Sequence, residues 1–286
     1  MPKMIALAGI TEAPTACTFR IAGVEVELSG PTAVLTLVQR TLLEGAQPRG
    51  PAAFRGRVDL RFEKDVWLIS GTAPRANKTL SQLSVLPEIC GAVIAAIVAE
   101  AAYHAELHVW RASVVERDGD ALALVGDDWE SCLVLAAHLH VRGWSYVGAD
   151  YALVHLEQQR VFGLRKLLHA NSSMLQSLPL AYRRAVEASP WYVTRRDIAF
   201  HAIDPGLARR EPWSDGSRLR AIVRVDGDTA EHPALERAQP FELPGAVLSH
   251  HLERRGAAIA ELTLGGLVHT CDLLEAWFRG ARDSDA

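Results

Sequence analysis

The chain has 286 residues, 49% of them hydrophobic and 22% charged, and a net charge of −4, a balance that suits a globular protein with one large core or two smaller ones. A pI near 6.3 speaks against bulk binding to nucleic acid or to an anionic membrane. Cys17, Cys90, Cys132 and Cys271 are scattered without a CxxC pair, so neither a disulfide framework nor a zinc site is expected, and the thiols read as small buried apolar groups.

The N-terminal stretch MPKMIALAGITEAPTAC has one lysine and a short apolar segment cut by Glu12. That is a weak secretory signal, and cytoplasm is the expected compartment. Residues 17–28, CTFRIAGVEVEL, alternate in strand fashion, and PTAVLTLVQRTLLEG carries helical spacing up to Gly45. RGRVDLRFEKDVWLIS, 55–70, predicts two antiparallel strands turning near Glu63 to Asp65. Residues 1–80 are therefore expected to form a small α/β unit, with 81–286 as a second domain.

Residues 80–106 predict a buried, alanine-rich helix whose apolar run, GAVIAAIVAEAAY, is broken by Glu100. The run falls short of the roughly 20 residues that span a bilayer, so no transmembrane helix is expected. Glu100, His104 and His108 recur every four residues, which predicts a polar stripe or partner surface in preference to a metal site. VWRASVVERDGDALALVG, 109–126, is a hairpin around Asp118-Gly119, and its second strand delivers Gly126.

Beyond Gly126, ESCLVLAAHLHVRG predicts a helix ending at Gly143, and WSYVGADYALVHLEQQRVFG two more strands, in a βαβ-type unit with a right-handed crossover. Residues 170–215, with Pro179, Pro190, Pro205 and Pro212, read as a long irregular excursion. RLRAIVRVD is a strand, and ELTLGGLVHTCDLLEAWFRGA is expected to be a final helix. Neither His138 with His140 nor His250 with His251 makes a ligand set, and no GxSxG elbow or activated cysteine supports hydrolase chemistry. Between 151 and 220, eleven basic residues face six acidic ones, a net +5 that leaves −9 for the rest of the chain. Arg165, Lys166, Arg183, Arg184, Arg195 and Arg196 are thus either a solvated basic surface or a groove for an acidic partner segment.

The decisive stretch is ALALVGDDWESCLVLAAHL, in which a strand runs into a glycine and then a helix. Such a turn cradles phosphate when backbone N–H groups and a lysine converge on it. Here Asp127, Asp128 and Glu130 stand where the anion would sit, and each like-charge contact at 4 Å costs roughly 4 kcal/mol at an effective dielectric near 20. Two or three of them, even heavily screened, cancel micromolar nucleotide binding, worth about 8 kcal/mol. Asp127 as N-cap with Glu130 reaching back would form a variant capping box instead. The same carboxylates are the alternative cation or metal site.

The order of these pieces resembles the HPr kinase/phosphorylase superfamily, in particular its shorter relatives found beside peptide-modifying enzymes. The likeness covers about residues 105–275: Gly126 with its loop, LVLAAHLHVRGW, YVGADYALV and RAIVRVDGD. It implies an α/β fold with a P-loop-kinase-like core of the HPr kinase C-terminal domain type, preceded by the small N-terminal α/β unit. GDDWESCLVL lies over the family's GxSGxGKST: Gly126 matches, Asp127, Asp128, Glu130 and Ser131 occupy the loop, the phosphate-binding lysine falls on Cys132 and the magnesium-holding hydroxyl on Leu133. The family's aspartate pair falls on Ala149 and Asp150, which leaves Asp150 as the one inherited catalytic position, expected to pair with Arg165 or Lys166.

These departures imply a catalytically silent relative that binds or scaffolds a peptide, a protein partner or a modifying enzyme, without cofactor, nucleic acid or membrane. Family members often form rings, so a homo-oligomer is compatible with the resemblance. Two alternatives remain open: a serine kinase using ATP and magnesium, in which the arginine-rich excursion replaces the lysine, and a metal-dependent enzyme using Asp127, Asp128 and Asp150.

Overall fold

A computed structural model describes residues 15–42, 53–164, 166–188, 191–193, 199–208, 216–238 and 252–283. The backbone clusters into two units, Met1–Leu107 with Pro190–Ala202, and His108–Ser189 with Ile203–Ala286.

In the first unit, Ala22 and Gly23, both at positive φ, turn the chain between β1 (Thr15–Ile21) and β2 (Val24–Gly30). The alternation seen in the sequence buries Phe19, Ile21, Val24, Val26 and Leu28 on one face. After α1 (Thr32–Thr41) come β3 (Phe54–Glu63), parallel to β2, and the antiparallel β4 (Val66–Gly71) and β5 (Lys78–Ser81), giving the sheet order β1-β2-β3-β4-β5. Lys64 and Asp65, both at positive φ, make the β3–β4 turn. Gly45 lies outside the described residues.

α2 (Leu86–His104) packs on β2, β3 and β4. This is why the division between units falls after Leu107 and not near residue 80: without α2 the apolar face of the sheet has no cover. The helix is long and apolar enough, by length and composition, to cross a membrane, contrary to expectation. Ile89, Val93, Ile97 and Ala101 are buried within its own unit.

Glu100, at 0% exposure, is the charged group inside that packing. Its Oε1 accepts from Thr72 N at 3.1 Å, its Oε2 from Ala73 N at 2.8 Å, and His104 Nε2 lies 3.2 Å from Oε1. Gly56 and Gly71 make the room, because a Cβ on either would come within 2.6 and 2.8 Å of the Glu100 side chain. The expected surface stripe of Glu100, His104 and His108 therefore does not form: Glu100 fastens a turn from inside, and His108 begins an exposed strand. A side chain at that helix position can reach the 72–73 turn only because two facing strand positions lack side chains, a condition that four-residue spacing does not reveal.

The second unit begins with β6 (His108–Trp110), β7 (Ser113–Arg117) and β8 (Asp120–Val125). Asp118 and Gly119, with φ of 56° and 85°, form the two-residue turn that joins β7 to β8. α3 (Trp129–Val141) leads to three short strands where two were expected: β9 (Ser145–Gly148), β10 (Ala152–His155) and β11 (Arg160–Gly163). β8 and β9 are both antiparallel to β7, so they run parallel with β7 between them.

The expected irregular excursion carries regular structure: β12 (Leu168–Asn171), α4 (Ser172–Ser177), α5 (Leu180–Ala185), β13 (Trp191–Val193), β14 (Ala199–Ile203) and α6 (Pro205–Ala208). Short amphipathic pieces of this kind leave too few turns for a period to show. β15 (Ser217–Thr229) runs parallel to β8 and to β17 (Ala258–Leu264), with β16 (Ala234–Arg237) beyond β17. α7 (Leu267–Asp283) closes the chain. The expected final helix is thus half strand, since residues 261–264 complete β17 and Gly265-Gly266 separate it from the helix.

One face of this sheet packs Val114, Ala123, Val125 and Ile222 against Trp110, Val154 and Val161 of the β6-β10-β11 group. The other packs Leu122, Leu124 and Val223 against Leu135 and Leu139 of α3 and Leu274 and Phe278 of α7. Trp144 Nε1 donates to Glu275 Oε1 at 2.9 Å, and Arg220 donates to Ala281 O and Arg282 O at the end of α7.

Replacing Glu100 by Ala leaves the buried Ala73 N–H without an acceptor, an expected loss of about 2 kcal/mol. Hydrogen exchange checks this site directly: the amides of Thr72 and Ala73 should exchange markedly faster in the variant, and unchanged protection there would show that Glu100 does not hold the turn.

Candidate functional site

The site lies at the C-terminal end of β8, where sequence and fold place the frame of an anion-binding turn. Gly126 is required by close approach, since a Cβ there would meet the Val225 carbonyl oxygen at 2.5 Å. Only Gly126, Asp127 and Asp128 separate strand from helix. Trp129 N donates to Asp127 O at 3.1 Å, Ser131 N to the Asp128 carboxylate at 3.2 Å, and Cys132 N to Asp128 O at 3.3 Å. The Ser131 hydroxyl donates to Oδ2 of the same carboxylate. Asp128 is therefore the N-cap, one residue later than the capping box predicted, because the helix starts at Trp129. Asp127 is exposed. Glu130 does not reach back either: its Oε1 accepts from Asn171 Nδ2 at 2.9 Å, while Asn171 Oδ1 caps α4 through Met174 N.

An early helix start also decides the next two positions. Cys132 is 3% exposed and packs in the core under β8 and β15; burial, with Asp128 close by, pushes its thiol up to about 12, so it is inert. Leu133, 1% exposed, enters a separate apolar cluster with Tyr146, Leu168, Met174 and Tyr182. Leu133 packs away from the loop, and Cys132, though it borders the cleft, is almost wholly buried there. Of the other thiols, Cys90 and Cys271 are buried as expected and Cys17 is only half-buried; none forms a disulfide.

Asp150 follows the fully buried Ala149 and adopts a left-handed φ of 67°. Its carboxylate bonds the Lys166 ammonium, which is 5% exposed. Burial pushes the Asp150 carboxyl up, but the charge and hydrogen bond of Lys166 outweigh this and hold it below the ordinary value. His169, on β12 behind the pair, is driven down to about 3 by burial and by Lys166, and is neutral. Of the two mates expected for Asp150, Lys166 is the one in place, and Arg165 lies outside the described residues. Lys166 is accordingly not part of a basic partner surface. Arg183 and Arg184 are exposed on α5; Arg195, Arg196, His250 and His251 lie outside the described residues. His138 donates from Nε2 to Ser177 O, and His140 shares a hydrogen bond with the Tyr182 hydroxyl, so both histidines of α3 fasten the α4–α5 segment. Among the described residues no group of three or more His, Cys, Asp or Glu is arranged to hold a metal ion, so Asp127, Asp128 and Asp150 do not converge.

Between these elements is a cleft lined by Arg111, Ser113, Gly126, Trp129, Cys132 and Asp150, about 240 Å³ in volume with open solvent included. Arg111 sets its guanidinium carbon 5.9 Å from the Trp129 ring centroid. Sequence reasoning missed Arg111, because an arginine between two strands carries no motif and reaches α3 only through the kink between β6 and β7.

Replacing Asp150 by Asn keeps a residue that tolerates the left-handed backbone and leaves Lys166 buried and unpaired, an expected loss of about 3 kcal/mol. Adding Lys166→Met should recover most of that loss, which a double-mutant cycle by urea denaturation measures. With the folded carboxyl depressed, the contribution of Asp150 is present above the unfolded value near 4 and lost as pH falls through the folded one. The difference between wild type and Asp150→Asn should therefore shrink below about pH 4, and a pH-independent difference would remove the ion pair as its cause.

No family model matches the sequence, and no curated protein matches it at a significant level. Among solved structures, the HPr(Ser) kinase/phosphatase from Coxiella burnetii is similar at 12% identity and a TM-score of 0.32, over 62% of this chain and 97% of that one. The chemistry of the site rests on its own geometry.

Proposed function

We propose that the protein is a nucleotide-silent relative of HPr-kinase-type proteins that acts in the cytoplasm as a binding or scaffold subunit for a peptide or protein partner. One observation carries this reading: the N-terminus of α3, where a phosphate would be held, is capped by the chain's own Asp128, and the two positions that would supply lysine and hydroxyl are buried as Cys132 and Leu133. An incoming triphosphate would have to displace an intramolecular carboxylate and would meet Asp127 and Glu130 with no lysine to offset them. Asp150, the inherited base position, is already neutralised by Lys166. A base held in that pair has little tendency to take a hydroxyl proton at neutral pH.

The partner surface in this reading is the basic stretch that includes Arg183 and Arg184 on α5, together with Arg165, Arg195 and Arg196. Exposed arginines attract an acidic segment and set its encounter rate more than its final affinity.

Isothermal titration with ATP and ADP, each with and without magnesium, tests the silent reading. No binding is expected up to high micromolar nucleotide. Binding that strengthens with magnesium, or magnesium-dependent ATP turnover that disappears in Asp150→Asn, would overturn it.

A further inference from the structure

We draw no further inference here: the strongest candidate, the outer edge of β1 in the five-stranded sheet, whose seven residues lie in unbroken antiparallel register with β2, carries nothing because nothing in the structure shows what covers it.

Discussion

The first turn of α3 needs hydrogen-bond acceptors, and the group that supplies them decides what the end of the β8–β15 sheet can do. A helix leaves its first N–H groups without partners in the helix itself, and the macrodipole makes that end attractive to negative charge. Where a loop is long and glycine-rich, an external phosphate can take the place. Here three residues separate strand from helix, and the carboxylate of Asp128 is always at hand. An intramolecular cap costs no translational freedom, so an external anion competes for the same donors at a disadvantage that no single added lysine restores.

That short connection also fixes the core. Because α3 begins at Trp129, its second turn brings Cys132 and Leu133 into two different apolar clusters, one beneath the sheet and one against Tyr182 and Met174. A lysine at 132 would be carried into packed surface beside Leu135 and Ala136, where an ammonium costs several kcal/mol to desolvate. Packing therefore keeps a charged side chain out of position 132. A lysine there would damage the fold before it could help to hold a phosphate.

Much of the frame was legible in the sequence, where local signals and tertiary outcome agree. Asp118-Gly119 adopts the positive φ values its turn demands, alternation in 17–28 places five apolar residues on one face of β1 and β2, and Gly126 sits where only a hydrogen fits beneath Val225. What failed depended on contacts far apart in sequence. The cap moved from Asp127 to Asp128 because helix starts are uncertain by a residue or two. Glu100 resembled a surface residue because the glycines that admit it, Gly56 and Gly71, lie on strands 44 and 29 positions away. The end of β17 read as helix because its apolar residues continue into those of α7, and pairing with β15, not local period, makes it a strand.

Charge in the second unit follows one rule, in which structural carboxylates meet donors fixed by the fold. Glu275 is held by Trp144 and Arg142, Asp150 by Lys166, and Asp118 and Asp120 by Arg282; each of these acids has a donor fixed by the fold. Arg111, 5.9 Å from the Trp129 ring centroid, makes no hydrogen bond to these acids, but its charge adds to that of Lys166 in holding the Asp150 carboxyl down. Exposed as it is, the charge of Arg111 is screened beyond about 8 Å at physiological salt, so the buried Lys166 holds Asp150 and Arg111 only assists.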